Sequence, residues 1–221
     1  MLEIAEAKGK DAEQYLISLY KMVRERENFL SNEAKVVQYG AVLRYFTRFL
    51  QQRNDFSPVV RTVLYRIDIK LGDIYYEEAL QNQDNGRYFL ATAYYNQALS
   101  YAHQKDEQNY ALCRLREVYY YLDDQEALMK VEEAWAENHD KKDRFSAYMF
   151  LAQNAELPLI KTKFLAKALD EVMAQDESFY TKYQDTLNIC SQLVALYELL
   201  GEKEKANQVM KLRESTSKLL N

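Results

Sequence analysis

LVALYELLGEKEKANQVMKLR, residues Leu193 to Arg213, is the stretch on which the fold turns. Leu193, Leu196 and Leu200 recur at helical spacing before a single glycine, and Ala206, Val209, Met210 and Leu212 recur after it. Gly201 sits where a helix C-cap needs a left-handed residue, a conformation glycine takes at little cost. Two helical patterns meeting at one such residue predict a short helical hairpin.

Composition extends that reading to the whole chain. The 221 residues are 48% hydrophobic, enough for a sizeable core, and include only five Gly and two Pro, too few turn residues for a β architecture. No segment alternates with period two, so no sheet is expected. The formal net charge of −5 excludes a global nucleic-acid footprint. The start, MLEIAEAKGKDAEQ, has no basic segment followed by an apolar one, and no apolar run approaches 18 residues. No signal peptide and no membrane span are therefore expected, and the expected compartment is the cytoplasm. Cys113 and Cys190 are isolated thiols without metal or redox spacing.

Ten helices can be laid along the chain. The first covers residues 1–30, with an interruption near Gly9, and carries Leu16, Leu19, Tyr20 and Val23 on one face. Ser31 caps a second, to about Gln52, with Val36, Gly40, Leu43, Phe46 and Leu50 inward. Ser57-Pro58 opens a third, to about Gln81, packing Val60, Leu64, Ile67, Leu71 and Ile74. Asn82 to Gly86 is the clearest loop. Helices follow over 87–103, 105–122, 125–138, 142–155, 158–174, 178–200 and from 202 on, with Asp123-Asp124 and Pro158 as start signals.

Internal repetition relates these helices. The Leu-x-x-x-Tyr pair of Leu193/Tyr197 recurs at Leu16/Tyr20, Leu71/Tyr75 and Leu115/Tyr119, and in degraded form at Leu151/Ala155. Small residues seven apart follow at Ala34/Ala41, Ala91/Ala98 and Ala127/Ala134; only Ala168 and Ala206 survive in the last two units. This pattern resembles the tetratricopeptide repeat, including a glycine, Gly72, after Leu71. The units are about 36 to 55 residues apart by their leucines, against the family's 34. The resemblance implies an all-α, right-handed superhelix of about five antiparallel hairpins forming one domain over 1–221, with residues 1–56 a divergent N-terminal hairpin. Long hairpins of this kind also resemble the sensor domains of bacterial peptide-pheromone regulators.

Catalytic constellations are not found. No HExxH, GxSxG, CxxC or P-loop is present, and five scattered glycines cannot build a phosphate loop. His103 and His139 each adjoin a loop, where a helix dipole favours a surface histidine. No enzyme activity, metal or cofactor is expected. Two features do stand out. Between Ala34 and Leu71 seven Lys or Arg face two Asp, a local +5. Arg44 and Arg48 share one face there, and Arg66 and Lys70 another. These four form a candidate anion patch; the alternative is an ordinary solvated face whose partners are acids elsewhere in the fold.

The second feature is tyrosine. The runs Tyr75-Tyr76, Tyr94-Tyr95 and Tyr119-Tyr120-Tyr121 put rings about 100° apart around a helix, so one of each run can be core while another must face elsewhere. The repeat assigns Tyr75 and Tyr119 to packing. It assigns a concave groove to Arg66, Ile69, Asp73 and Tyr76, then to Tyr110, Cys113, Glu117 and Tyr120, then to Met149, Gln153 and Asn188. The Lys and Asn set with which the family clamps carboxylate-terminated peptides is missing, so the acidic groove positions imply a basic ligand segment. The resemblance thus implies a non-enzymatic scaffold or adaptor that binds a protein or peptide in this groove; a peptide-sensing regulator is the alternative. Neither nucleic acid nor membrane is expected as a partner, and the N-terminal hairpin is a candidate homodimer surface.

Overall fold

In the computed structural model the helix signals of the sequence are realised with shifted ends. The loop expected over residues 82–86 shrinks to Gln83 and Asp84, because Asp84 caps a helix that already starts at Asn85, and the first helix ends at Arg26. The structure describes residues 10–49, 57–174 and 179–220. Ten α-helices and no strand occur among them: α1 (Lys10–Arg26), α2 (Asn32–Phe49), α3 (Pro58–Asn82), α4 (Asn85–Tyr101), α5 (Lys105–Tyr121), α6 (Gln125–Glu137), α7 (Lys141–Asn154), α8 (Pro158–Met173), α9 (Phe179–Leu199) and α10 (Lys203–Leu220). A 3-10 turn, Glu27–Phe29, follows α1. The fold is all-α. Gly9, Leu50, Arg53 and Asp55 lie outside the described residues. No described helix is long and apolar enough to cross a membrane.

The caps carry these boundaries. Ser31 Oγ accepts from Ala34 N–H at 3.3 Å, Ser57 Oγ from Val60 N–H at 3.4 Å, and Asp124 Oδ1 from Ala127 N–H at 3.0 Å. Each satisfies one of the amides that a helix start leaves without a backbone partner. Gln83 ends α3 at φ +52° and Gly201 ends α9 at φ +76°. Gly201→Ala forces a Cβ into the left-handed region and is expected to cost about 1 kcal/mol, read as a lower denaturant midpoint.

The chain divides into two compact units, residues 1–128 and 129–221. In the first, α1 and α2 form an antiparallel pair, shown by the ring contacts Tyr15–Tyr45 and Tyr20–Tyr39. α3 lays Val60, Val63, Leu64, Ile67 and Leu71 against Ala12, Leu16, Tyr39, Val42 and Phe46. Each fully buried aliphatic side chain contributes about 1.5–3 kcal/mol. The α2 core face is turned from the expected one, with Tyr39, Val42, Tyr45 and Phe46 buried. An aliphatic pattern overlooks tyrosines that bury a ring beside another ring.

In the second unit, Leu151, Phe164, Leu165, Ala168, Ile189 and Leu193 are central, and Leu196, Val209 and Leu212 pack on them. Leu200, expected on that face, is 36% exposed beside the Gly201 turn. Trp135 packs on the same core and meets the His139 ring edge-on at 4.4 Å. The small-residue pairs behave unequally. Ala91 and Ala98 are fully buried, as close packing of α3 and α4 requires, whereas Ala41 and Ala134 are exposed. In α6 the buried alanine is Ala136 instead.

Candidate functional site

The candidate site grows from the side of α3 that faces away from α1 and α2. Tyr65, Ile69, Gly72, Asp73 and Tyr76 recur along it at helical spacing. Tyr65 donates its hydroxyl to Glu107 O at 3.1 Å, and its ring packs with Ala98 and Ala111. Further along, Arg114 Nε reaches Asp73 Oδ1 at 3.2 Å, and the Tyr76 and Tyr121 rings lie 6.1 Å apart. The partners ascend together on both helices, so α3 and α5 run parallel. α4 runs antiparallel to both: Tyr94 stacks on Tyr75 at 5.6 Å, and Asn96 donates to the Tyr119 hydroxyl at 3.3 Å.

Two residues seat the site. Tyr95 is fully buried and donates its hydroxyl to Asp73 Oδ1 at 2.8 Å. Its ring lies over Gly72, where a β-carbon would stand 2.5 Å from Tyr95 Cε1. The glycine expected from the repeat pattern thus serves a close approach of α4 to α3. Arg114 then ties the face together. Its guanidinium also donates to Glu117 Oε2 at 2.9 Å and to the Tyr110 hydroxyl at 3.2 Å, and it lies 5.3 Å from the Tyr110 ring centre and 5.9 Å from that of Tyr76. Burial raises the Asp73 carboxyl above its ordinary range, against the lowering pull of Tyr95 and Arg114. Burial, with the Glu117 charge, pushes the Tyr76 hydroxyl up to about 12. The phenol therefore stays protonated and can donate a hydrogen bond.

A second layer of rings lies at the C-terminal end of α5. Tyr88 and Tyr121 stack at 5.5 Å with nearly parallel planes, Tyr76 is 6.1 Å from Tyr88, and Tyr120 meets Tyr121 edge-on at 5.8 Å. Tyr88 is buried, while Tyr110, Tyr121 and Tyr120 are 42%, 50% and 69% exposed. Wide aromatic faces are thus presented to solvent on a braced base.

Of the groove positions read from sequence, Asp73, Tyr76, Tyr110 and Glu117 join one network, with Tyr120 at its rim. Ile69 packs beneath, and Arg66 and Cys113 are exposed on the same two helices. Met149, Gln153 and Asn188 lie in the second unit. Met149 is half-buried there, and Asn188 Oδ1 accepts from Gln192 at 3.2 Å. Tyr75 and Tyr119, expected in the core, are only half-buried. The repeat pattern does not mark Arg114, Tyr95, Tyr88 or Tyr121 as groove residues. The spacing Tyr110–Arg114–Glu117 is a helical i, i+4, i+7 signal that could have found the first of them.

Other surfaces are more self-contained. Lys70 of the anion patch forms an ion pair with Glu27, while Arg44, Arg48 and Arg66 are exposed. A cleft of about 500 Å³ in the second unit is lined by Glu137, Arg144, Tyr148, Lys167, Asp170 and Glu171. Its cations are matched: Lys167 pairs with Glu133 and Glu137, and Arg144 Nη1 lies 3.8 Å from Glu171. On the N-terminal hairpin, Leu19, Met22, Val23 and Val42 line an apolar groove of about 290 Å³. His103 Nδ1 lies 3.2 Å from Glu107 Oε2, and His139 Nδ1 lies 2.9 Å from Trp135 O, so both pair within their own segments.

No family model matches the chain, and no curated protein does. A solved structure described under the computational design of self-assembling cyclic protein homo-oligomers is 14% identical over 94% of this chain and 92% of that one. The TM-score is 0.23, which establishes no shared architecture.

Proposed function

We propose that the protein is a non-enzymatic, cytoplasmic binding module of tetratricopeptide-like kind, and that the α3–α5 face takes a peptide segment of a protein partner. The observation that carries this reading is the braced tyrosine surface. Tyr110, Tyr120 and Tyr121 offer large apolar faces with hydroxyl handles, and Arg114, Asp73, Tyr76 and Tyr88 hold the base beneath them. Such side chains contribute contact area at small entropic cost, because few torsions remain to be frozen on binding. The interlocked Asp73–Arg114–Glu117 charges contribute order to that base.

The test is selection of a random-peptide library on the full chain, followed by binding of the enriched peptides to a Tyr76→Ala/Tyr120→Ala variant. The enriched peptides are expected to bind the variant about ten-fold or more weakly, with the helical circular dichroism unchanged. Equal binding to both proteins would remove the α3–α5 face from the proposal.

A further inference from the structure

The face described above also carries a charge pattern that selects its ligand. We infer that the segment bound there is cationic, and that it places an arginine guanidinium on the Tyr120–Tyr121 platform. This rests on the reading of α3–α5 as a peptide-binding face.

Around the platform the chain is acidic. Asp73 and Glu117 are the counter-ions of Arg114, Asp124 caps α6, and Asp123 and Glu126 flank that cap. Arg87, beside Tyr88, is matched by Glu78 and Asp84, and residues 117 to 129 hold no Lys or Arg. Glu117 lies three and four residues before Tyr120 and Tyr121, hence on the same side of α5. Asp123, Asp124 and Glu126 are exposed just beyond them. Tyr121 is also the last residue of α5, so the negative end of that helix dipole falls here.

The rings add the second half of the recognition. A tyrosine face is electron-rich and attracts a cation held within about 6 Å of its centre. About two helical turns back along α5, the protein seats a guanidinium of its own in the same chemistry: Arg114 lies over the Tyr110 and Tyr76 rings with Asp73 and Glu117 as its counter-ions. Tyr120 and Tyr121 are the exposed rings beyond it: Tyr121 stacks by one face on Tyr88, and the exposed carboxylates of Asp123, Asp124 and Glu126 follow within a few residues in sequence. Stacking of nucleic-acid bases would need a positive groove for the phosphates, and this surface is its opposite. An acidic segment would be repelled. Arginine suits the site better than lysine because its planar group stacks on a ring while donating to a carboxylate.

The test uses three dye-labelled hexapeptides that alternate alanine with arginine, with glutamate or with glutamine, titrated with the full chain and read by fluorescence anisotropy at about 0.1 M salt. The arginine peptide is expected to bind about ten-fold or more tightly than the other two. Tyr120→Ala should remove about ten-fold of that affinity although it changes no charge, and Tyr120→Phe should retain it, since the ring and not the hydroxyl holds the cation. Loss in Tyr120→Ala with retention in Tyr120→Phe separates ring stacking from general attraction to an acidic protein. Arginine-peptide binding that is indifferent to Tyr120→Ala would overturn the inference, as would no preference among the three peptides. If the glutamine or glutamate peptide binds best and depends on Tyr120, the cation assignment falls and the scaffold reading stands. If library-selected peptides also ignore Tyr76 and Tyr120, the scaffold reading falls as well.

Discussion

Gly72→Ala is expected to lower the stability of the first unit by about 3 kcal/mol, although alanine is the better helix former by about 1 kcal/mol. The added methyl would stand 2.5 Å from the Tyr95 ring, which is fully buried and tethered through its hydroxyl to Asp73. Overpacking of this kind costs about 1–3 kcal/mol. Displacing the ring also breaks its hydrogen bond to Asp73, worth about 1.5–3 kcal/mol for a charged acceptor. The clash and the lost bond therefore outweigh the gain in propensity. Denaturant unfolding, with hydrogen exchange of the α3 amides to localise the change, measures it. The cause can be isolated in a Tyr95→Leu background, where Gly72→Ala should cost little. If Gly72→Ala is equally costly there, the α3–α4 approach is not what demands the glycine. Tyr95→Phe, which keeps the ring and removes only the hydroxyl, is the smaller companion change.

The second large effect lies one turn earlier on α3. Asp68 is 1% exposed and its Oδ2 has no hydrogen-bond partner among the described residues. Among the described residues, Tyr94 and Tyr101 of α4 sense its charge, and both would be neutral there. Burial without a cation pushes the Asp68 carboxyl up to about 8. The sign of the consequence is fixed by linkage. The folded protein retains a proton that the unfolded chain releases at its ordinary value of 3.8. This group's stabilising contribution is complete below that value and is lost as pH rises towards about 8, where the folded group also ionises. A displacement of this size corresponds to something on the order of 5 kcal/mol. Asp68→Asn is isosteric and does not titrate. Relative to the wild type it is expected to gain stability steadily from pH 4 to pH 8, by several kcal/mol at the upper end. Paired thermal melts across that range read the difference, and a pH-independent offset would mean that Asp68 is not held protonated.

Much of this fold was legible because its signals are local. Ser57-Pro58, Asp124 and Gly201 punctuate helices through bonds and torsions that involve only near neighbours in sequence. The α3 core residues Val60, Leu64, Ile67, Leu71 and Ile74 are all buried, because aliphatic periodicity needs no knowledge of the partner helix. The site was half legible for the opposite reason. Asp73, Tyr76, Tyr110, Glu117 and Tyr120 are positions that the resemblance to the tetratricopeptide repeat implies along α3 and α5. That Arg114 bridges the two helices, and that Tyr121 stacks on Tyr88, depends on how three helices cross, which spacing does not encode. Asp68 shows the same limit. It read as one of two acids diluting a basic stretch, yet it follows Leu64 by four residues and precedes Leu71 by three, on the buried side of α3.

The placement of the single indole gives the molecule a built-in optical label. Trp135 packs into the second unit, whereas the tyrosine platform belongs to the first. Red-edge excitation, which tyrosine does not absorb, therefore follows residues 129–221 alone, while far-ultraviolet ellipticity sums every helix in the chain. Comparing the two signals during denaturation asks directly whether the units melt together, with no label attached and no residue changed.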